Sequence, residues 1–510
     1  MKIVIVGGGT AGWMAAALIA KTNKILEKDG FESAHDVTVI DSSDIPIIGA
    51  GEGSTGLMAD VIALKLKDLG VTENEFIYET ESTLKTGIHF KDWNGVGTDY
   101  LSPIGPTATH QYNIDLDFLA FSSLGNYYDA SPSGHMLANG LSSFSKLRCK
   151  TNGQHAYHFD AHKVGKYLKK VSMKNGVKHI DDEVIKLNRN FETGDLDSVV
   201  LKDGITKISA DFWIDCSGFS KVLIKPMGGG WNTYSDYLPV NNAMPYIQKF
   251  TKDETIKLET LAWAHQNGWV WKIPTQERYG CGYVYSDYFT TEDKVLAELR
   301  NSLGYDVEPI RNIKFECGRL NKFWINNVVA TGLAGSFLEP LQATSIHTTI
   351  VQLDLLLHHY VYKTKEETVL EHSINRYNTF ISKMVDDFRD LIQIHYMTKR
   401  DDSEFWKFCK NSLTKTDTTK YVLEMCKHRS PSMLDFGMYH GAAGWGVWCW
   451  TLVGLGIINK ETAIKTLKNF SLLKHAKDSF EKISNRNKIQ SISLMNNMEF
   501  MKAVKDRKLN

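Results

Sequence analysis

Gly7, Gly9 and Gly12 stand in the spacing GxGxxG inside VGGGTAGW, and an acid, Asp41, follows them downstream. Glycines at those three positions let a turn tighten, let a backbone approach a pyrophosphate and let a helix pack close to a strand. The N–H groups that open such a helix, here at Thr10 and Ala11, face the phosphates, and the helix dipole favours their charge. Asp41 is placed to meet ribose hydroxyls. The fingerprint carries weight only where a strand leads in and a helix leads out, and both are expected. Ile3 to Val6 is a β-branched apolar run, and Ala15 to Ala20 propagates a helix. Val37 to Ile40 reads as a second strand that ends at Asp41. The chain therefore begins as a Rossmann-like module for a nucleotide cofactor.

Other residues are ambiguous alone. SSDIPIIGAGEGSTG is a permissive loop with Pro46 and glycines 49, 51, 53 and 56, and Ser54 or Thr55 is suited to cap the helix expected from MADVIALKLKDLG. Glu52 reads equally as an exposed loop acid or as part of a cofactor-side loop. Leu84 to Phe90 alternates as one strand, which sets Lys85 on the less apolar face, the usual place of a solvated lysine. GWVWKIP puts Trp269, Trp271 and Ile273 on one face, and by spacing alone this is a half-buried strand. YGCGYVYS repeats the pattern across a hairpin signal, QERYG.

Composition narrows the class. The chain has 510 residues, room for two or three lobes, and a formal net charge of zero. No basic field argues for nucleic acid or for an anionic membrane. The cysteines are scattered without a CxxC pair, which fits reduced thiols in a cytoplasmic protein rather than a zinc site or disulfide framework. The first strand begins at residue 2, leaving no room for a signal peptide, and no apolar run suits a membrane span. The expected fold is α/β. Residues 1–365 form the cofactor module, with substrate-facing insertions near 94–155 and 225–315 and a mixed β-sheet region, and 366–510 form a helical lobe. Residues 94–155 read as loop and short helix, and the Lys-rich tail as a solvated helical end.

Four segments together resemble the flavin-dependent halogenases of the tryptophan-halogenase family. GGGTAGWMAA is similar to that family's FAD loop, GWVWKIP to its WxWxIP motif, LKTGIHFKDW to the strand that carries its catalytic lysine, and FLEPLQATSIH to its FLEPLESTxI segment. DDFRDLIQIHY and SEFW resemble its C-terminal helices, so the likeness runs over nearly the whole chain, with a marine viral member as a nearer match. The resemblance implies a two-component enzyme, in the cytoplasm of a host if viral. FADH2 comes from a separate flavin reductase, O2 and halide are co-substrates, and hypohalous acid made at the flavin travels to a lysine beside an electron-rich ring. The lysine falls on Lys85. Flavin contacts fall on Gly7, Gly9, Thr10, Ala11, Gly12, Asp41, Gly49 and Leu338, and halide contacts on the backbone of Thr344 and Ser345. Trp269 and Trp271 would wall the flavin from organic substrate. No second strand–GxGxxG–helix appears for NAD(P)H, in keeping with a separate reductase. A homo-oligomer is left open.

Two departures stand out. The family's glutamate in LEST is Gln342 here, which can hydrogen-bond but cannot take the proton released by the substituted ring. The indole-stacking HPFG is replaced by Ser102-Pro103-Ile104-Gly105, which argues against free tryptophan and for a phenol, another indole or a broader set of rings. Trp445, Trp448 and Trp450 read equally as pocket or core; Trp448 is the pocket candidate. With base assistance reduced, bromide and iodide should outperform chloride. An FAD-dependent hydroxylase and a non-catalytic flavin-binding protein are the alternative readings.

Overall fold

The computed structural model describes residues 1–30, 35–45, 51–105, 121–124, 127–358, 371–431, 433–436 and 445–509, side chains excepted at 433, 434 and 445. Gly49 and the side chain of Trp445 therefore lie outside the described residues.

The strand Lys2–Val6 is paired in parallel on both sides, with Asp36–Asp41 and with Phe212–Asp215. A strand covered on both faces has no polar face to show, which is why KIVIV is a continuous apolar run. Lys178–Asp181 extends this sheet at one edge; Val328–Ala330 and then Trp324–Ile325 extend it at the other, to six strands, with only the last pair antiparallel. The helix Thr10–Lys28 lies back against the sheet, and the small buried side chains of Ala15, Ala16 and Ala17 let it approach closely. Beside it packs the helix Ala161–Lys174, whose N-cap Asp160 accepts hydrogen bonds from the N–H groups of His162 (3.0 Å) and Lys163 (3.3 Å).

A second, seven-stranded sheet runs Ile313–Lys314, Asn242–Lys249, Arg278–Tyr285, Gly268–Pro274, Glu259–Ala264, Gly87–Lys91, Asp99–Pro103. It is antiparallel except where Glu259–Ala264 meets Gly87–Lys91. The structure is thus mixed α/β with a helical C-terminal region. No described helix is long and apolar enough to cross a membrane.

Several local expectations are corrected. Leu84 to Phe90 is not one strand: Thr83–Lys85 and Gly87–Lys91 belong to different sheets. Thr86 makes the break, donating from its N–H (2.8 Å) and its hydroxyl (2.7 Å) to the carbonyl of Leu258. Thr55 stands at the N-cap position of the next helix, but neither its side chain nor that of Ser54 makes a capping bond. Ser54 is bonded to the backbone of Tyr157, and Thr55 Oγ1 meets His347 Nδ1 at 3.0 Å. The helix after them is irregular, α-helical over Gly56–Asp60 and π-helical over Val61–Lys65. Residues 94–155 contain the strands Asp99–Pro103 and Leu141–Ser145 as well as a helix, Pro132–Ala138. The tail is docked rather than solvated. Its strand Leu494–Asn496 pairs with Leu141–Ser145, and Phe500 is buried against Phe144.

Candidate active site

The glycine turn has the geometry of a phosphate cradle. Gly7 has φ +107°, and a β-carbon there would meet the carbonyl oxygen of Cys216 at 2.3 Å; one on Gly12 would meet the carbonyl of Gly7 at 1.9 Å. Gly9 is different, because among the described residues a β-carbon there would meet nothing within 4 Å. Its surface is open, as close approach of a pyrophosphate requires. Gly9 is also the N-cap of the helix and supplies no side-chain cap, so the first N–H groups, at Thr10 and Ala11, are left for a ligand. Asp41 ends its strand beside Gly8, where a β-carbon would strike its carboxylate, and it pairs with His179 on the neighbouring strand. The loop after Val328–Ala330 closes the cradle: a β-carbon on Gly332 would lie 2.8 Å from Ala11 Cβ, and the buried hydroxyl of Thr331 has no partner. A bound dinucleotide fits these donors and this open face.

Lys85 is 1% exposed, which overturns the solvated reading that strand alternation suggests. The strand Ala156–Phe159 covers its strand on one side, and Glu52–Gly53 lies beyond. Nζ donates to the carbonyl of Ser54 at 3.0 Å, and among the described residues no carboxylate pairs with it. Burial alone brings the amine down to about 7. Glu52, half-buried on the outer strand, is raised to about 7 by burial and then by the charge of Asp160, so it is not a simple exposed loop acid.

The segment FLEPLQATSIH leads into the helix Thr344–Leu356. Leu338 is buried at its start. Glu339 is fully buried, and its Oε2 accepts from Trp269 Nε1 at 2.8 Å and from the Tyr396 hydroxyl at 2.6 Å. That carboxyl, raised to about 7 by burial, is committed to holding Trp269. Trp271, next but one, lies across the strand on Gly282, where a β-carbon would fall 2.0 Å from its ring. Gln342 and Ala343 both have positive φ, +66° and +55°, a strained pair of L-residues. The Gln342 amide meets His395 Nε2 at 3.1 Å. His395 Nδ1 faces the carbonyl of Leu391 at 2.8 Å, so the ring proton sits on Nδ1, and Nε2 accepts from the amide. Burial lowers His395 to about 4, which keeps it neutral. The helix then begins at Thr344 and Ser345 without a side-chain cap, and among the described residues the buried Oγ1 of Thr344 has no hydrogen-bond partner.

Two of the pocket candidates, Ser102 and Ile104, are brought beside the strands around Lys85 by backbone pairing. Ile104 N–H donates to the carbonyl of Thr86, the residue after Lys85, at 2.9 Å. Its side chain lies over Gly56, 3.9 Å from where a β-carbon would be. Ser102 is buried on the edge strand Asp99–Pro103 that leads to Ile104, opposite Ile88. Trp448 is fully buried in the helix Trp445–Gly454, packed on Phe436, with its indole N–H unpartnered. The same helix supplies Thr451, 3.5 Å from His395 Nε2, and Gly454, which abuts the Tyr100 ring. His395, His158 and Thr260 were not singled out from the sequence, because lone polar residues on apolar segments carry no spacing signal.

A family model described as tryptophan halogenase matches residues 2–467. The tryptophan 7-halogenase RebH of Lentzea aerocolonigenes is 32% identical over 469 residues, covering 86% of this chain and 85% of that one. The tryptophan 6-halogenase ThaL of Streptomyces albogriseolus is 29% identical with the same coverage. Among solved structures, a tryptophan halogenase from Shewanella frigidimarina superposes with a TM-score of 0.90 at 26% identity, covering 100% of this chain and 98% of that one. A flavin-dependent halogenase from Xanthomonas campestris gives 0.83 at 26% identity, covering 99% and 98%.

Proposed function

Because this chain belongs to the tryptophan halogenase family, whose members are flavin-dependent halogenases of aromatic compounds, we propose that Lys85 is the group that holds hypohalous acid against its substrate ring. The observation that carries this is a fully buried amine that, among the described residues, has one hydrogen bond and no counter-ion. Bound FAD, reduced and with O2, supplies the oxidation of halide. Gly7, Gly9, Thr10, Ala11 and Gly12 would hold its pyrophosphate and Asp41 its ribose, with Leu338 a further contact. A halide sits against the N–H groups of Thr344 and Ser345, where the helix dipole favours an anion and the orphaned Thr344 hydroxyl supplies a further donor.

At the second site Lys85 acts through its remaining donors. An N–H directed at the hypohalous oxygen draws electron density from the halogen and makes it more electrophilic. An amine at about 7 is present as both ammonium and free base near neutrality. The ring carbon takes the halogen; the ring proton and the hypohalous hydroxide leave as water. Gln342 cannot collect that proton, since its amide is not a base and its NH2 is spent on His395. Trp269, fixed by Glu339, and Trp271, seated on Gly282, form the wall that keeps organic substrate from the cofactor.

Ser102 and Ile104 in place of a stacking pair point to a phenol or an indole other than free tryptophan. Weak proton collection favours bromide and iodide over chloride, which competition with equimolar halides on one phenol measures. The test is product analysis by mass spectrometry with a supplied flavin reductase, halide and a panel of indoles and phenols. Lys85→Ala should still consume FADH2 and O2 but give no halogenated product. Undiminished product from that variant would refute the role of the lysine.

A further inference from the structure

Lys85 does not stand alone: three residues that no motif marks surround its amine. A β-carbon added to Gly53 would lie 3.2 Å from Lys85 Nζ, 3.5 Å from Thr260 Oγ1 and 3.6 Å from His158 Cδ2. Gly53 has no left-handed φ, so its backbone does not require glycine. What glycine provides there is space, at the one point where the amine, the hydroxyl and the imidazole edge converge.

The hydrogen-bond directions within this group can be worked out. The Thr83 hydroxyl donates to the carbonyl of Pro274 at 2.8 Å, so its oxygen can only accept from His158 Nδ1, 3.5 Å away. The imidazole proton is therefore on Nδ1. Nε2 then accepts, and its partner at 2.8 Å is the Thr260 hydroxyl. His158 is fully buried, and burial and then the neighbouring Lys85 charge hold it neutral, which preserves this tautomer. With its proton given to His158, Thr260 Oγ1 presents only lone pairs to the space beside Lys85.

We propose that Thr260 is the second anchor for the oxidant at this site: Oγ1 accepts the O–H of hypohalous acid while Lys85 Nζ donates to its oxygen, His158 acting as the positioning residue that turns the hydroxyl and Gly53 leaving the room. A single N–H donor lets the O–X bond swing about the hydrogen bond; two contacts on one oxygen, one donated and one accepted, fix the direction of the halogen. Orientation of this kind is where much of the acceleration of a bimolecular step resides. This inference rests on the reading of Lys85 given above.

The experiment follows the fate of the oxidant rather than the rate alone. Enzyme, flavin reductase, bromide and a phenol are incubated with added methionine, and bromophenol is measured against bromide-dependent methionine sulfoxide, which traps hypohalous acid lost from the site. Thr260→Val, which keeps shape and removes the acceptor, should lower the ratio of bromophenol to sulfoxide about tenfold. Thr260→Ser should recover most of that ratio. Gly53→Ala should lower it in the same way by filling the space, and it decides the matter should Thr260→Val fail to fold. His158→Leu should resemble Thr260→Val. A Thr260→Val or Gly53→Ala enzyme with the wild-type ratio overturns the proposal. Lys85→Ala, run alongside, separates the two readings: bromophenol persisting in that variant refutes the lysine itself, whereas its loss there beside a normal Thr260→Val ratio refutes only the second anchor.

Discussion

Replacing Lys85 by methionine should make this protein more stable while removing its activity, and the gain should depend on pH in a defined direction. The amine moves from 10.5 to about 7 on folding because burial disfavours its charge. At 1.36 kcal/mol per pH unit that displacement corresponds to about 5 kcal/mol, an upper figure because the fold relaxes around a charge. The folded-state value is the lower one, so between pH 7 and 10.5 the unfolded chain binds more protons than the native one. The stability of the wild type therefore rises with pH through that window. Below pH 7 both states carry the proton and the native state bears the whole penalty. Above 10.5 neither does. Methionine has nearly the same length and no charge, so it removes the penalty, at the loss of the bond to Ser54, about 1 kcal/mol. The Lys85→Met advantage should be about 3–4 kcal/mol at pH 7 and close to zero at pH 9.5, where about 1 kcal/mol of penalty balances the lost bond. With an unfolding entropy of about 2.1 cal/mol/K per residue, this is a few degrees in Tm at pH 7. Thermal melts of both proteins from pH 6 to 9.5 measure it. A gap that is flat, or that widens with pH, would refute the buried-amine argument regardless of any activity result.

The remaining predictions concern the other parts of the site. Thr344→Val removes a buried hydroxyl that has no partner among the described residues; the halide KM should rise about fivefold, equivalent to about 1 kcal/mol, with flavin binding by fluorescence quenching unchanged. Gly282→Ala puts a β-carbon 2.0 Å from the Trp271 ring, so it should destabilise by about 1–3 kcal/mol and shift the tryptophan fluorescence as the indole is displaced. Gln342→Glu sets a carboxylate against the lone pair of His395 Nε2. The pair becomes favourable only with His395 protonated, which raises its folded-state pKa from about 4. Measured against wild type, the variant's relative stability should be greatest near pH 4 and fall as pH rises through the raised value, because over that window its native state keeps a proton that the wild-type His395 has lost; paired melts read the difference.

Much of the molecule is legible in its residue pattern. The strand–glycine–helix opening, the strand GWVWKIP and the capped helix after Asp160 are local statements, each decided by period, by glycine or by one capping side chain, and each element is seen in the structure, although GWVWKIP is buried on both faces rather than half-buried. The family motifs, read as motifs, pointed to Lys85 and to the Thr344 helix start, and the structure shows the first as a buried amine and the second as a helix start without a side-chain cap. The environment of the lysine was not legible. Alternation assigned it to a solvated face, because a period of two carries information only while a strand continues, and Thr86 ends the strand by turning its N–H and hydroxyl to Leu258, 172 residues away. Likewise the commitment of Glu339 to Trp269 and Tyr396, the tautomers of His158 and His395, and the space kept by Gly53 join segments distant in the chain. The sequence by itself determined where a nucleotide could be held and which residue types were available for the chemistry. Only the tertiary structure decided which of them lose water, since desolvation and hydrogen-bond direction depend on what packs from elsewhere, and those two quantities set what a lysine or a histidine does.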